Sequence, residues 1–336
     1  MTILTNLQKL ALRILVLLAL FGLMGARIGV AQTAQSTLAP INSKNILLLY
    51  SYGHGSKGLG IFDAGLLESL GAGGVSTNQL FFEFLDLERN KADPQYHLRL
   101  QDLLGRKYKD RHIDLVVTVQ QPALNFLLHE GRELASGAPA ITVQAPMPSQ
   151  AEARQRRFVS LLASFDIKGT LDRALELLPD TRRVVFVSGN SDADKQMAEQ
   201  AASIAKPLLG KLVFEYTTGL SLDAMLKRLA SLPPASIIIF SQYNRGPNGR
   251  VTVAYEVEGM ITRTANAPVF GLYDFNLSNG GMGGSVVSVH ELGSKTGQLA
   301  LDILNEKLAP IPMLSSVDVK VIPCSTGPKS NAGAAM

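Results

Sequence analysis

Residues 45–70 read NILLLYSYGHGSKGLGIFDAGLLESL. An unbroken apolar run, a glycine-rich turn and apolar residues at helical spacing make a strand, a loop and a helix, the opening of a βαβ unit. A run that is apolar at every residue predicts a strand buried on both faces, as in a parallel sheet covered by helices. The turn contains Gly53-x-Gly55-x-x-Gly58, the spacing with which dinucleotide-binding loops bring backbone amides to a pyrophosphate. The acidic partner is misplaced, however: the second strand ends near Asp86, 28 residues beyond Gly58, where about 20 is expected. The loop instead reads as the carboxyl end of a first strand, the edge at which open α/β sheets bind ligands. Tyr52, His54 and Ser56 are its candidate contacts. The alternative is that the glycines only shape the turn and His54 is a solvated turn residue.

The same rhythm continues outward. Candidate strands at 45–52, 79–87, 114–119 and 139–145 alternate with helices around 60–71, 94–109 and 121–134. It restarts with strands at 182–189, 211–219, 236–242 and 268–274 and helices near 191–209, 221–231 and 254–265. Alternation of this kind predicts parallel sheets flanked by helices. The polar segment 146–166 reads as a crossing between two halves, and NLSNGGMGG (276–284) as a second, followed by a strand at 284–289 and a helix at 290–308. The predicted architecture is α/β with two lobes and a ligand cleft between them, as in type-1-like periplasmic binding proteins that close by hinge motion. Lobe 1 is expected at 44–148 plus 284–308 and lobe 2 at 149–283 plus 311–323. Gly280, Gly281, Gly283 and Gly284 supply the backbone freedom expected of a hinge.

The N-terminus reads as an export leader over 1–31. Lys9 and Arg13 precede the apolar run ILVLLALFGLMGA (14–26), and Gly29-Val30-Ala31 has the small-x-small pattern of a cleavage site. The run is shorter than the roughly 20 residues that favour a spanning helix; an uncleaved anchor is the alternative. Cleavage leaves a periplasmic or extracytoplasmic chain beginning at Gln32, with a disordered spacer (32–43) and a disordered tail (324–336). The leader holds Lys9, Arg13 and Arg27 and no acids, so the remaining 29 basic and 28 acidic residues nearly balance. That balance gives no reason to invoke nucleic acid, and the RQRR run (154–157) reads as a solvated linker face. The only cysteine, Cys324, allows neither an internal disulfide nor the usual lipoprotein attachment.

Other strand ends nominate further contacts. Gln120 and Gln121 follow the third strand and open a helix whose free amides suit a carboxylate; helix-starting alone is the alternative. Ser188, Asn190 and Ser191 hold the matching place in the second half, and Gln242, Tyr243, Tyr273 and Asp274 end two more strands. Tyrosines at three strand ends suggest stacking on a flat ligand, or equally core packing with a hydroxyl bonded to the backbone. The lack of tryptophan disfavours a sugar. Ser191, Asp274 and His290 occur in the chain order of a serine hydrolase, but the second glycine of a nucleophile elbow is missing. Ser191 as a helix cap is the plainer reading. The histidines at 54, 97, 112, 129 and 290 show no ligand spacing, so no metal is implied, and no cofactor is expected.

ILLLYSY (46–52), LLPDTRRVVFVSGNSDAD (177–194), GLYDFNLSNGGMGGSVVSV (271–289) and ELGSKTGQLALDIL (291–304) together resemble a bacterial family. It is that of the ABC-transporter substrate-binding proteins related to the tryptophan/tyrosine-type uptake proteins. The resemblance runs over about 44–310, with Gly271-Leu-Tyr273-Asp274 followed by Gly280, Gly283 and Gly284 as its best motif. It implies a non-enzymatic, monomeric binding protein that captures a small organic ligand, such as an amino acid, and delivers it to the membrane subunits of an ABC importer. The domain is also similar to the extracytoplasmic input domains of sensor histidine kinases. That likeness implies ligand sensing for a membrane kinase as the alternative, the chain then being a truncated sensor, since no second apolar span or kinase region follows residue 310.

Overall fold

The computed structural model describes residues 43–153, 156–307, 314–319 and 322–325. The expected leader, nearly all of the spacer and the tail beyond Ser325 lie outside the described residues. In chain order the strands are β1 (Ile46–Tyr50), β2 (Leu80–Phe84), β3 (Leu115–Val119), β4 (Ala140–Val143), β5 (Phe158–Ala163), β6 (Arg183–Ser188), β7 (Val213–Tyr216), β8 (Ser236–Gln242), β9 (Val269–Gly271), β10 (Gly283–Val286), β11 (Leu314–Val319) and β12 (Ile322–Ser325). The helices are α1 (Lys57–Ala72), α2 (Pro94–Tyr108), α3 (Gln121–Leu128), α4 (Gln150–Ala153), α5 (Ile167–Leu177), α6 (Asp192–Ala205), α7 (Leu222–Leu229), α8 (Ala254–Thr264), α9 (Phe275–Ser278) and α10 (Val289–Leu304). No helix among the described residues is long and apolar enough to cross a membrane.

The first lobe is a six-stranded sheet in the order β11-β5-β4-β3-β1-β2, parallel throughout. Its strands alternate between two cores, which is why β1 is apolar at every residue. Ile46, Leu48 and Tyr50 face Phe62, Leu66 and Leu70 of α1 and Leu292, Leu299 and Ala300 of α10. Leu47 and Leu49 face Leu104 and Tyr108 of α2 and Leu124, Phe126 and Leu127 of α3. The first helix and the last lie backbone to backbone. A Cβ at Gly65 would stand 2.1 Å from the His290 carbonyl oxygen, and one at Gly293 2.0 Å from that of Phe62.

The second lobe repeats the plan around a four-stranded parallel sheet, β7-β6-β8-β9. Ile167 and Leu171 of α5 pack with Met197 and Ala201 of α6 on one face. Met225 and Leu229 of α7 pack with Val257 and Ile261 of α8 on the other. An antiparallel ribbon of β10 and β12 adjoins it. Thr170 of α5 holds β10, its Oγ1 donating to the Ser285 carbonyl at 3.2 Å and accepting from the Ser285 amide at 2.9 Å.

The two-lobe α/β architecture agrees with the expectation, but its seams fall elsewhere. The segment 146–166 contains β5, which pairs with β4 inside the first sheet. Arg156, expected on a solvated face, is 8% exposed and donates to the carbonyls of Leu134 (2.7 Å) and Ala138 (3.0 Å). β10 belongs with the second lobe and β11 with the first, the reverse of the expected partition. Cys324 and Ser325, expected in a disordered tail, are in β12. The chain therefore passes between lobes at 163–167, at 286–289 and between β11 and β12. Of the expected hinge glycines, Gly283 and Gly284 open β10, just before the crossing at 286–289, and Gly280 and Gly281 precede that strand. Gly284 has φ +152° and a Cβ there would lie 2.6 Å from the Gly271 carbonyl oxygen, so it serves close packing of β10 on β9. Gly280, φ +99°, shapes the turn after α9.

Candidate ligand site between the lobes

In the first lobe the strand ends share one backbone device. The residues just past β2, β3 and β4 include Asp86, Gln120 and Gln144 at φ +45°, +71° and +51°. A left-handed conformation costs a non-glycine residue about 1–2 kcal/mol, and such strain concentrates at functional sites. The Gln120 amide bonds to the Val143 carbonyl (2.8 Å) and the Gln144 amide to that of Leu161 (3.0 Å). Each strand thus locks its successor at the sheet edge while the side chain turns away. Three buried amide atoms in this region have no hydrogen-bond partner within the chain: Oε1 of Gln120, Oε1 of Gln121 and, from the loop after β6, Nδ2 of Asn190; the side-chain amide of Gln144 is turned to the Tyr273 hydroxyl. Buried polar atoms are nearly always bonded, so each such exception needs an explanation.

Ion pairs and hydrogen bonds join the lobes. Arg245 Nη2 donates to Glu88 Oε2 at 2.7 Å and to the Glu88 carbonyl. Lys91 pairs with Asp192 at 2.6 Å. Lys57 Nζ reaches Tyr255 Oη at 2.6 Å and Ser278 Oγ at 3.3 Å. Between them lies an aromatic cluster: Tyr273 and Phe275 stack at 5.0 Å and 13°, and Phe165 meets Tyr273 edge-on at 5.1 Å. Phe165, on the crossing after β5, packs against the cores of both lobes. Burial pushes the Tyr273 hydroxyl well above its ordinary pKa, against the pull of the Gln144 amide. Burial does the same to Tyr52, and the carboxylates of Glu88 and Asp194 add to it. Both phenols are therefore neutral donors across the physiological range. An open surface groove, of about 740 Å³, lies on the outer face of lobe 1 beside Leu98, Tyr108 and Phe126.

The structure sorts the expected contacts. Tyr52 and Tyr273 come together at the junction, joined by Gln144, Phe165 and Phe275, which sequence reasoning missed, while Gln120, Gln121 and Asn190 lie at the ends of β3 and β6. Gln144 ends β4 as Gln120 ends β3, so the same strand-end rule would have found it. Gln121 Nε2 is held by Asn125 Oδ1 at 2.6 Å. Ser56 precedes α1 without capping it through its side chain. His54 is exposed, with its ring edge-on to Phe84 at 5.1 Å. Gln242 is half-buried at the end of β8.

Four expected contacts are otherwise engaged. Tyr243 is fully buried in the core of lobe 2, its hydroxyl donating to the Leu220 carbonyl at 2.8 Å. Ser188 is buried and its hydroxyl donates to the Asp194 carbonyl. Ser191 caps α6: its Oγ accepts from the Asp194 amide at 3.1 Å, and its own amide donates to Asp194 Oδ2 at 2.9 Å. Asp274 Oδ1 accepts from the Val289 amide at 3.4 Å, at the start of α10. His290 pairs with Glu68 at 3.2 Å on the α1–α10 surface, so Ser191, Asp274 and His290 do not assemble. The free helix-start amides expected after Gln120 are largely used as well. Pro122 has no N–H, the Ala123 amide donates to Ser51 Oγ (2.9 Å), and the Leu124 amide to the Gln120 carbonyl (3.3 Å).

No protein-family model matches the chain, and no curated protein does. Solved structures do. A conserved domain protein from Vibrio cholerae superposes with TM-score 0.60 at 14% identity, over 84% of this chain and 91% of its own. The ABC domain in complex with L-Trp from Streptococcus pneumonia gives 0.56 at 16% identity, over 82% and 90%. An ABC-transporter solute-binding protein from Burkholderia graminis in complex with D-arabinose gives 0.57 at 12% identity, over 88% and 99%. The fold is that of the type-1 periplasmic binding proteins. In this fold the strand ends of Gln120 and Gln144 in one lobe and Asn190 in the other lie on the facing edges of two parallel sheets.

Proposed function

We propose that this protein is an exported solute-binding protein that captures a small organic solute, of the size class that includes amino acids, between its lobes. Ligand held first by the strand ends of lobe 1 gains contacts from lobe 2 only when the lobes close, so the closed form is favoured by its greater affinity. The closed surface is what an ABC importer would engage. One observation carries the reading. Adjacent strand ends, at Gln120 and Gln144, are held in left-handed backbone, and the buried Oε1 of Gln120 has no partner within the chain.

Thermal unfolding of residues 32–325 across amino acids, sugars, nucleobases and organic acids tests it. A solute at about a thousand times its dissociation constant adds roughly 4 kcal/mol to stability. The proposal expects at least one such shift without turnover of the solute, and an exported chain starting at Gln32 by mass spectrometry. Absence of any shift, from protein refolded to remove carried-over solute, would refute it. An intact N-terminus in the membrane fraction would favour sensing over import.

A further inference from the structure

We infer that the bound solute is an uncharged, planar molecule with an amide-like edge of adjacent donor and acceptor, the chemistry of nucleobases and heteroaromatic carboxamides. The inference rests on the binding reading above and narrows its ligand.

The first argument is a charge inventory. The ionised groups facing the junction are answered inside the protein. Arg245 pairs with Glu88 and Lys91 with Asp192. The buried Asp194 carboxylate accepts from the amides of Ser191 (2.9 Å), Asn244 (3.1 Å) and Arg245 (3.3 Å) and from Asn244 Nδ2 (3.0 Å). Asp274 accepts from the Val289 amide. A carboxylate or ammonium carried into such a site would lose water and find no counter-ion, which is costly. Helix starts give little help to an anion. That of α3 has its amides used as described, and that of α6 carries Asp192 and Asp194 in its first turn. The remaining place for an anion is the uncapped start of α1 beside Lys57, and Lys57 is exposed at the rim.

The second argument is what the junction does offer. It offers neutral amide atoms: unpartnered acceptors on Gln120 and Gln121 and an unpartnered donor on Asn190, from both lobes, with the Gln144 amide beside them on the Tyr273 hydroxyl. Free acceptors and donors on neighbouring amides suit a solute that carries a donor and an acceptor side by side on one edge, as nucleobases and carboxamides do. The cluster of Tyr273, Phe275 and Phe165 gives the junction an apolar aromatic wall against which such a molecule can lie.

Isothermal titration with matched probes tests this: nicotinamide against nicotinate, then adenine, hypoxanthine and uracil against L-tryptophan, L-tyrosine and D-arabinose. We expect binding among the neutral heterocycles and carboxamides, with nicotinamide tighter than nicotinate. Gln144→Glu and, independently, Asn190→Asp should each weaken it roughly tenfold or more, because a buried donor is replaced by a charge. Circular dichroism of the two variants checks that they fold. Tighter binding of nicotinate or an amino acid, lost in Lys57→Met, would overturn the inference and leave the binding-protein reading intact. Binding of D-arabinose alone would do the same. No binding by any probe would overturn the inference, and only the wider solute panel decides the reading beneath it.

Discussion

The two lobes use the same strand-loop-helix unit for opposite ends. After β6 and β8 in lobe 2, most polar groups turn inward and satisfy one another: Ser191 and Asp194 cap α6, Asp194 gathers the 244–245 backbone, and Tyr243 bonds to Leu220, with Asn190 Nδ2 as the exception. After β3 and β4 in lobe 1, the backbone is strained, and the side-chain oxygens of Gln120 and Gln121 are left without partners within the chain. Strand ends can thus be built for stability or held ready for a ligand. A residue type alone does not say which: Ser188 and Gln120 both stand at strand ends, and only the first is closed off by its neighbours.

Breaking the saturated side should cost the most. Asp194→Ala strands four donors, and we expect a loss of about 3–5 kcal/mol in urea unfolding, as for a buried charge network that loses its centre. Glu258 is the exception that sharpens the contrast. It is fully buried in lobe 2, receives Asn279 Nδ2 at 3.2 Å on one oxygen, and burial pushes its pKa up to about 7. The folded state holds this proton more tightly than the unfolded chain, so stability should fall as pH rises from about 4.5 to 7. Glu258→Gln should remove that slope and be more stable than the wild type at pH 8 by roughly 2–3 kcal/mol, read by unfolding at pH 5 and pH 8. Ser191→Ala, which removes only the cap, should cost about 1 kcal/mol and leave solute binding unchanged. In lobe 1 the sign reverses. Gln120→Gly and Gln144→Gly relieve left-handed strain, so stability should stay level or rise, by up to about 1 kcal/mol, while affinity for the solute falls. A substantial stability loss in those two variants would erase the distinction between the lobes.

Much of this fold was legible because parallel strands covered on both faces are apolar at every residue. β1 is apolar throughout, and β3, β6 and β8 stand out by their runs of Val, Ile and Phe. β5 was hidden by its surroundings: FVSLLA follows the charged run ending at Arg157, and nothing local tells that Arg156 turns inward to the carbonyls of Leu134 and Ala138. α5 was hidden too, by Gly169 in its first turn. For the site, the strand-end rule brought out Tyr52, Gln120 and Asn190. It also named Tyr243 and Ser188, because burial and hydrogen-bond partners depend on distant chain. The left-handed turns at Gln120 and Gln144 left no local mark, since glutamine, unlike glycine or asparagine, does not announce a positive φ.

The pairing of the last two strands bears on how the molecule is assembled in time. β11 forms the edge of the first sheet by pairing residues 314–319 with 158–163, and β12 pairs with β10 in the second lobe. A chain growing from its N-terminus therefore holds, as far as Leu304, every strand of each lobe but one, and both lobes wait for the same closing segment. Contacts that span so much chain form late. The two halves should complete their folding together, and a chain that stops before Leu314 leaves both of them a strand short.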